Sequence, residues 1–161
     1  MKVYYKSGVL LLERPYVNGK VNGVQKDYYK SGNLKREISY TKGKKNGIEK
    51  RYYESGKLKR ETPYTNGKEN GVQKDYYESG VLRGEYPSSD GKANGVLKGY
   101  YESGVLWWKT PYANGLKNGV EKEYYESGEL AGTATYKFGN LVGYKHCADG
   151  RVGNSSLDCV H

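Results

Sequence analysis

Hydrophobic and polar positions repeat along the chain with a period of 24 residues. Each period opens with a Tyr-Tyr pair, followed two residues later by Ser-Gly, and a leucine recurs after each Ser-Gly. The pairs begin at Tyr4, Tyr28, Tyr52, Tyr76, Tyr100 and Tyr124. A fixed period of this length is typical of a stacked array of repeats. Such an array presents one surface many times, whereas a catalytic site needs different groups that converge on one point.

The third unit shows the elements that each repeat predicts. Residues 52–58 read Tyr-Tyr-Glu-Ser-Gly-Lys-Leu, where Ser-Gly indicates a tight turn because glycine adopts positive φ without steric cost. Residues 66–71 read Asn-Gly-Lys-Glu-Asn-Gly, which indicates a second, longer turn. We therefore predict an all-β fold, a single-layer antiparallel β-meander or solenoid of six 24-residue β-hairpin repeats. The repeats cover residues 1–144, and residues 145–161 form a C-terminal capping hairpin with a cysteine pair.

The register at the Ser-Gly turns is left open by the sequence. A two-residue turn would place Tyr53 on the same face as Leu58, because adjacent strand residues face opposite sides. A three-residue loop with a bulge would place Tyr52 there instead.

The repeated motif Tyr-Tyr-x-Ser-Gly-x-Leu with Asn-Gly-Lys-x-Asn-Gly resembles the MORN repeat, and more closely its bacterial variant. The resemblance covers residues 1 to about 144 in six copies without insertion or deletion. It implies a β-hairpin solenoid that acts as a scaffold or binding surface. Arrays of the bacterial variant are often labelled as antitoxins, so the resemblance also implies an antitoxin or immunity partner.

Charge is unevenly distributed over the 161 residues, whose formal net charge is +9. Residues 1–72 hold 17 basic and 7 acidic side chains, whereas residues 73–161 hold 10 and 11. One interpretation is a solvated surface that resists aggregation. The other is a docking face for an acidic protein, an anionic membrane or nucleic acid.

Five lysines of the first three units are the candidate anion-binding residues. Lys2, Lys26 and Lys50 belong to a row with neighbours about 10 Å apart, two strand spacings. Lys6 and Lys30 stand where later units carry glutamate. A basic patch is therefore expected in the first two units.

The repeat is interrupted by Trp107 and Trp108 in the fifth unit. The equivalents of Trp108 one unit away are Gly84 and Gly132, so we predict that its indole covers both glycines. A hot spot for a partner is the alternative. Trp107 faces the opposite side and is the better interface candidate. The segment from Gly84 to Ser89, in which Ser88 replaces a repeated tyrosine, predicts a strand kink or bulge and a shallow groove beside Trp108.

The C-terminal tail resembles a shortened seventh half-unit flanked by Cys147 and Cys159. A disulfide between them would staple the cap and would imply an oxidising compartment. Two free thiols, or a zinc site with His146 and His161, are the alternatives. The protein is expected to be periplasmic or secreted if the cysteines are bonded, and cytoplasmic otherwise.

Together these features predict a non-enzymatic scaffold that binds another protein. The alternative is a peripheral binder of anionic membrane lipid or another polyanion through the basic N-terminal repeats. Nucleic acid is disfavoured because the tyrosines occupy core-like positions. No segment approaches the ~20 apolar residues of a transmembrane helix. No cofactor, metal or catalytic residue is expected.

Overall fold

The computed structural model describes residues 1–154 and 159–160, and this part of the chain consists of strands and turns without a helix. It divides into two compact units, Met1–Gly80 and Val81–His161. The strands of the first unit are β1 (Lys2–Tyr4), β2 (Leu10–Glu13), β3 (Tyr16–Val17), β4 (Lys20–Val21), β5 (Gly23–Tyr28), β6 (Leu34–Thr41), β7 (Lys44–Lys45), β8 (Gly47–Tyr52), β9 (Leu58–Thr65), β10 (Lys68–Glu69) and β11 (Gly71–Tyr76). Those of the second unit are β12 (Leu82–Ser89), β13 (Lys92–Ala93), β14 (Gly95–Tyr100), β15 (Leu106–Ala113), β16 (Leu116–Lys117), β17 (Gly119–Tyr124), β18 (Leu130–Lys137), β19 (Asn140–Leu141), β20 (Lys145–Cys147) and β21 (Val152–Gly153).

Each repeat is built on an antiparallel hairpin between a six-residue strand and an eight-residue strand. In the β8–β9 hairpin the register runs from Gly47 opposite Tyr64 to Tyr52 opposite Leu58, with a bulge between Arg51 and Tyr52. The hairpins β5–β6, β14–β15 and β17–β18 have the same register. The predicted single-layer antiparallel meander of hairpin repeats is confirmed.

Of the two alternatives for the Ser-Gly turn, the structure has the three-residue loop. The N–H of Tyr53 donates to the carbonyl of Lys57 at 2.8 Å, and the N–H of Gly56 donates to the carbonyl of Tyr53 at 3.0 Å. Gly56 has φ 87°, which favours glycine strongly. Because the loop spans three residues, Tyr52 rather than Tyr53 lies opposite Leu58.

The second turn is tighter than the sequence predicts. Thr65 pairs with Lys68, and between them Asn66 and Gly67 both have positive φ, 52° and 90°. This is the two-residue geometry that Asn-Gly favours in hairpins. The N–H of Gly67 also donates to the carbonyl of Lys45 in the preceding repeat at 2.8 Å, so the turn joins neighbouring repeats.

The buried side chains form a thin stripe down the middle of each unit. In the first unit the buried side chains are Gln25, Ile38, Glu49, Thr62 and Asp75, and all of these except Ile38 are polar. In the second unit burial concentrates near the C-terminus, where Ala131, Cys147 and Cys159 form an apolar cluster. A single layer cannot enclose a large apolar core. Many of the buried side chains are therefore polar and are held by hydrogen bonds and ion pairs.

The predicted kink at Ser88 is wrong. Strand β12 is continuous from Leu82 to Ser89, and Ser88 pairs with Ala93 as Tyr64 pairs with Glu69. The tyrosine-to-serine change removes a ring but leaves Pro87 in the frame of Pro63, so the backbone has no reason to change course.

The tail continues the repeat in shortened form. Strand β20 pairs with β18 through Gly132 opposite Cys147 and Thr133 opposite His146. The N–H of Cys147 donates to the carbonyl of Arg151 at 2.9 Å, which repeats the Ser-Gly turn geometry with Asp-Gly. The buried ammonium of Lys145 forms an ion pair with Glu123 at 2.6 Å, so its charge has a partner beneath the cap.

Candidate interaction surface

In four of the pairs, the second tyrosine ties its repeat to the next one. The hydroxyl of Tyr5 donates to the carbonyl of Tyr28 at 2.9 Å, that of Tyr29 to Tyr52 at 2.8 Å, and that of Tyr53 to Tyr76 at 2.7 Å. In the second unit Tyr101 donates to the carbonyl of Tyr124 at 2.9 Å. We call these contacts the tyrosine ladder. Its rings form a constant base along the edge of each unit that carries the Ser-Gly turns.

A variable side chain packs over three of the ladder tyrosines, Tyr29, Tyr53 and Tyr101. The ammonium of Lys35 lies 5.4 Å from the ring centroid of Tyr29, and that of Lys59 lies 5.0 Å from the centroid of Tyr53. These are cation–π distances. In the second unit the same repeat position holds Trp107, whose ring centroid lies 5.7 Å from that of Tyr101. We call this position the ladder head.

A row of guanidinium groups crosses the first unit beside the ladder. Arg36, Arg51 and Arg60 lie directly opposite one another on three successive long strands. Asp27 pairs with Arg36 at one end of this row, and Asp75 pairs with Arg60 at the other. The two end pairs are close, since Arg36 Nε is 2.6 Å from Asp27 and Arg60 makes two 2.6 Å bonds to Asp75.

The row and the ladder heads Lys35 and Lys59 line a cleft of about 480 Å³. Five cationic side chains and one carboxylate contribute to its wall. They are Lys35, Arg36, Arg51, Lys59, Arg60 and Asp27. We call it the arginine cleft. Because it lies between the second and third repeats, both of its walls are built from the same motif, Leu-Lys-Arg at residues 34–36 and 58–60.

The floor behind the cleft contains a buried carboxylate. Glu49 is 1% exposed and accepts hydrogen bonds from Lys45 and Arg51, each at 2.7 Å. Burial alone would raise the pKa of Glu49, but the hydrogen bonds from Lys45 and Arg51 outweigh it and hold that pKa below its usual range. The Nε edge of Arg51 is thereby fixed, while its side chain remains 49% exposed.

The predicted lysine row lies on the other face of the sheet. Lys26 lies between Glu13 and Glu37, and Lys50 lies between Glu37 and Glu61. In the same row, Lys2 pairs with Glu13 at 3.5 Å. The hydroxyl of Tyr52 adds a 2.8 Å bond to Glu37, and burial together with that carboxylate raises the pKa of Tyr52 to about 12. Charge therefore alternates along this row.

The remaining predicted lysines, Lys6 and Lys30, are exposed in the Ser-Gly turns. They do not line the arginine cleft. The structure thus brings none of the five predicted lysines into that site.

The two tryptophans occupy different environments. Trp107 is 36% exposed at the ladder head. The indole of Trp108 lies over Gly99, where an added Cβ would overlap it. Gly84 is covered by Tyr86 and Gly132 by Cys159 instead. Trp108 is thus a cover for bare backbone, but on the adjacent strand rather than one repeat away.

Cys147 and Cys159 lie at disulfide distance, with their Cα atoms 5.2 Å apart. Cys159 packs over Gly132, and the pair joins Ala131 in the apolar cluster under the cap. His146 is exposed. The alternative zinc ligand His161 lies outside the described residues, within which no group of three or more candidate metal ligands occurs.

Sequence reasoning missed the arginine row. Arg51 stands where other units have Asp27, Asp75, Gly99 and Glu123, so this departure from the repeat was available as a signal. The repeated Leu-Lys-Arg motif was a second one. Phe138 was also missed. It is 67% exposed and adopts φ 50° at a turn position usually held by asparagine.

The chain belongs to the MORN repeat variant family. The match covers six consecutive segments, residues 1–18, 21–42, 45–66, 69–90, 93–114 and 117–138. No curated protein matches the sequence. MORN repeats mediate interactions with proteins or membrane lipids and are not a known enzyme family. Among the described residues, no helix has the length and apolar character needed to cross a membrane.

Proposed function

We propose that this chain is a non-enzymatic scaffold that binds another protein through its ladder heads. The observation that carries the proposal is that one constant tyrosine base supports a variable, exposed side chain. Four repeats place an exposed side chain at this position: Lys35, Lys59, Arg83 and Trp107. A constant frame with variable exposed residues lets one array acquire specificity without losing its fold.

The chemistry of these positions favours a protein partner. Tryptophan, tyrosine and arginine are the residues that most often dominate protein interfaces. Trp107 over Tyr101 presents a rigid aromatic surface, and Arg51 presents a half-exposed guanidinium. The lysine row is the part of the protein that would contact an anionic lipid surface, but glutamates alternate with those lysines in the first unit. This alternation weighs against the anionic-lipid alternative.

The resemblance to antitoxin-labelled arrays makes a toxin the first partner to test, with this chain covering it as an immunity partner. The cysteine pair at 5.2 Å Cα separation supports a periplasmic or secreted location. In the arginine cleft the one lining carboxylate, Asp27, is paired with Arg36. The Asp27 carboxylate is thus already engaged by Arg36 and Gln25, which supports a binding role for the cleft.

Affinity capture tests the proposal. The wild-type chain is used to isolate a partner, which is then purified and titrated against Trp107→Ala and against the double variant Lys35→Ala/Lys59→Ala. Lys50→Gln, on the other face, is the control. We expect stoichiometric binding that at least one head variant weakens by about tenfold, a typical hot-spot loss, while Lys50→Gln binds normally. Binding that none of the head variants alters would overturn the proposal. So would capture of anionic vesicles with no protein partner.

A further inference from the structure

We propose that the arginine cleft binds the carboxylates of an extended acidic segment of the partner protein. This inference deepens the proposed protein-binding function and rests on it. In this cleft, five of the basic side chains of the first unit line one concave surface. The lysine row on the other face lacks that concentration because its charges alternate.

Carboxylates of the protein already lie against each guanidinium. Glu49 accepts a hydrogen bond from Nε of Arg51, and Asp75 accepts two from Arg60. Asp27 forms an ion pair with Arg36 without accepting a hydrogen bond from its Nε. These carboxylates orient the three groups, so a ligand meets positions that are already ordered. The only one of these carboxylates that lines the cleft is Asp27. Five cations set against Asp27, Glu49 and Asp75 leave a net charge of +2 on these residues.

Arginine specifies the type of anion better than lysine does. A guanidinium is a planar fork that matches a carboxylate with two parallel hydrogen bonds, whereas an ammonium is a point charge. Arg51 occupies the middle of the row, and its exposed end is available to such a pair. Lys35 and Lys59 flank it from above the rings of Tyr29 and Tyr53. The flanking rings also offer apolar surface to the stem of a bound side chain.

The repeat spacing sets the spacing of the acidic residues. The two Leu-Lys-Arg walls are one repeat apart, which is two strands or about 10 Å. A segment in the polyproline II conformation advances about 3.1 Å per residue with three residues per turn, so its side chains at i and i+3 lie on one face about 9 Å apart. We therefore expect a segment with glutamate or aspartate at positions i and i+3. A volume of about 480 Å³ is in the range of pockets that enclose a few side chains.

A designed peptide tests the assignment without the natural partner. The probe is a Gly/Ser peptide with a glutamate at every third residue. Its controls are a peptide of the same composition with adjacent glutamates and one with glutamine throughout. Binding is followed by nitrogen-15 NMR of the arginine Nε–H groups, which detects dissociation constants as weak as about 1 mM. We expect saturable shifts at Arg36, Arg51 and Arg60 with the spaced peptide and weaker binding of both controls.

Paired variants separate a built site from net charge. Arg51→Gln and Lys50→Gln remove the same charge from adjacent residues on opposite faces. We expect Arg51→Gln to weaken peptide binding about tenfold, the loss of one charged hydrogen bond, and Lys50→Gln to change it by less than about twofold. Arg51→Lys should bind weakly despite keeping its charge. If Arg51→Gln fails to fold, Lys35→Ala/Lys59→Ala replaces it, since both lysines are exposed.

The assignment is overturned if Arg51→Gln and Lys50→Gln weaken binding equally. It is also overturned if no shift saturates, or if the variants reduce binding to vesicles of phosphatidylcholine with about 30% phosphatidylserine but not to the peptide. Partner capture that survives Arg51→Gln would refute the cleft assignment alone and leave the proposed protein-binding function standing.

Discussion

Removing one hydroxyl of the tyrosine ladder should destabilise the array by a predictable amount. Tyr5→Phe, Tyr29→Phe and Tyr53→Phe each delete a single neutral hydrogen bond of 2.7–2.9 Å to a carbonyl in the next repeat. The ring, its packing and the strand register all remain. A hydrogen bond of this kind contributes about 1 kcal/mol to the free energy of unfolding.

The three contacts lie in separate repeats, so their effects should add. The triple variant should lose about 3 kcal/mol, because sites that share no partner couple by only a few tenths of a kcal/mol. Tyr4→Phe is the matched control. Tyr4 is the neighbour of Tyr5, is 55% exposed, and makes no hydrogen bond through its hydroxyl within the described part of the chain.

Urea unfolding followed by circular dichroism measures these differences. We expect lower midpoints for the ladder variants with an unchanged dependence on denaturant, which indicates a change in stability rather than in compactness. The reasoning is refuted if the triple variant unfolds with the wild type. Equal losses for Tyr4→Phe and Tyr5→Phe would refute it too, since the ladder hydroxyls would then have no special role.

Three further predictions concern single sites. Gly99→Ala should cost about 1–3 kcal/mol, because its Cβ would overlap the Trp108 indole; in a Trp108→Ala background the same change should cost much less, and thermal unfolding of the four proteins checks this. Glu49→Gln should lower stability at neutral pH, because Lys45 and Arg51 lose their anionic partner. The lowered pKa of Glu49 contributes stability that is present above its unfolded pKa of about 4.3 and is lost as pH falls through the folded value. The gap between wild type and Glu49→Gln should therefore narrow below about pH 4 in acid unfolding curves, and a gap that widens there contradicts this assignment. Reduction of the Cys147–Cys159 pair should destabilise the cap by up to about 3 kcal/mol, as expected for a short loop. A reductant should then lower the melting temperature of the wild type but not that of Cys147→Ser/Cys159→Ser.

The fold could be predicted because it depends on local and periodic information. Ser-Gly and Asn-Gly fix turns through backbone conformations that glycine and asparagine adopt readily. The alternation between these turns then determines antiparallel pairing of neighbouring strands. The six copies confirm one another, so no long-range contact has to be guessed.

The interaction surface could be predicted only in part, because it depends on register. Gly84 and Gly132 lie on strands one repeat away from Trp108, at a distance of about 10 Å. The strand next to Trp108 is only about 4.8 Å away, so its residues are the ones that the indole contacts. Gly99 lies on that adjacent strand. Likewise Arg51 lies opposite Arg60 because of the three-residue loop and its bulge, and opposite Arg36 because of the register between β6 and β8. A shift of one residue would move Arg51 to the opposite face.

The division between a constant frame and variable heads is tested most directly by a pair of variants at one stacked contact. Tyr53→Phe and Lys59→Ala alter the two members of the same cation–π pair. The measurement is the affinity of each variant for the purified partner, beside its free energy of unfolding. We predict that Tyr53→Phe loses about 1 kcal/mol of stability and keeps its affinity, whereas Lys59→Ala keeps its stability and loses affinity. The opposite pattern, with affinity dependent on the tyrosine hydroxyl and independent of Lys59, would contradict the division.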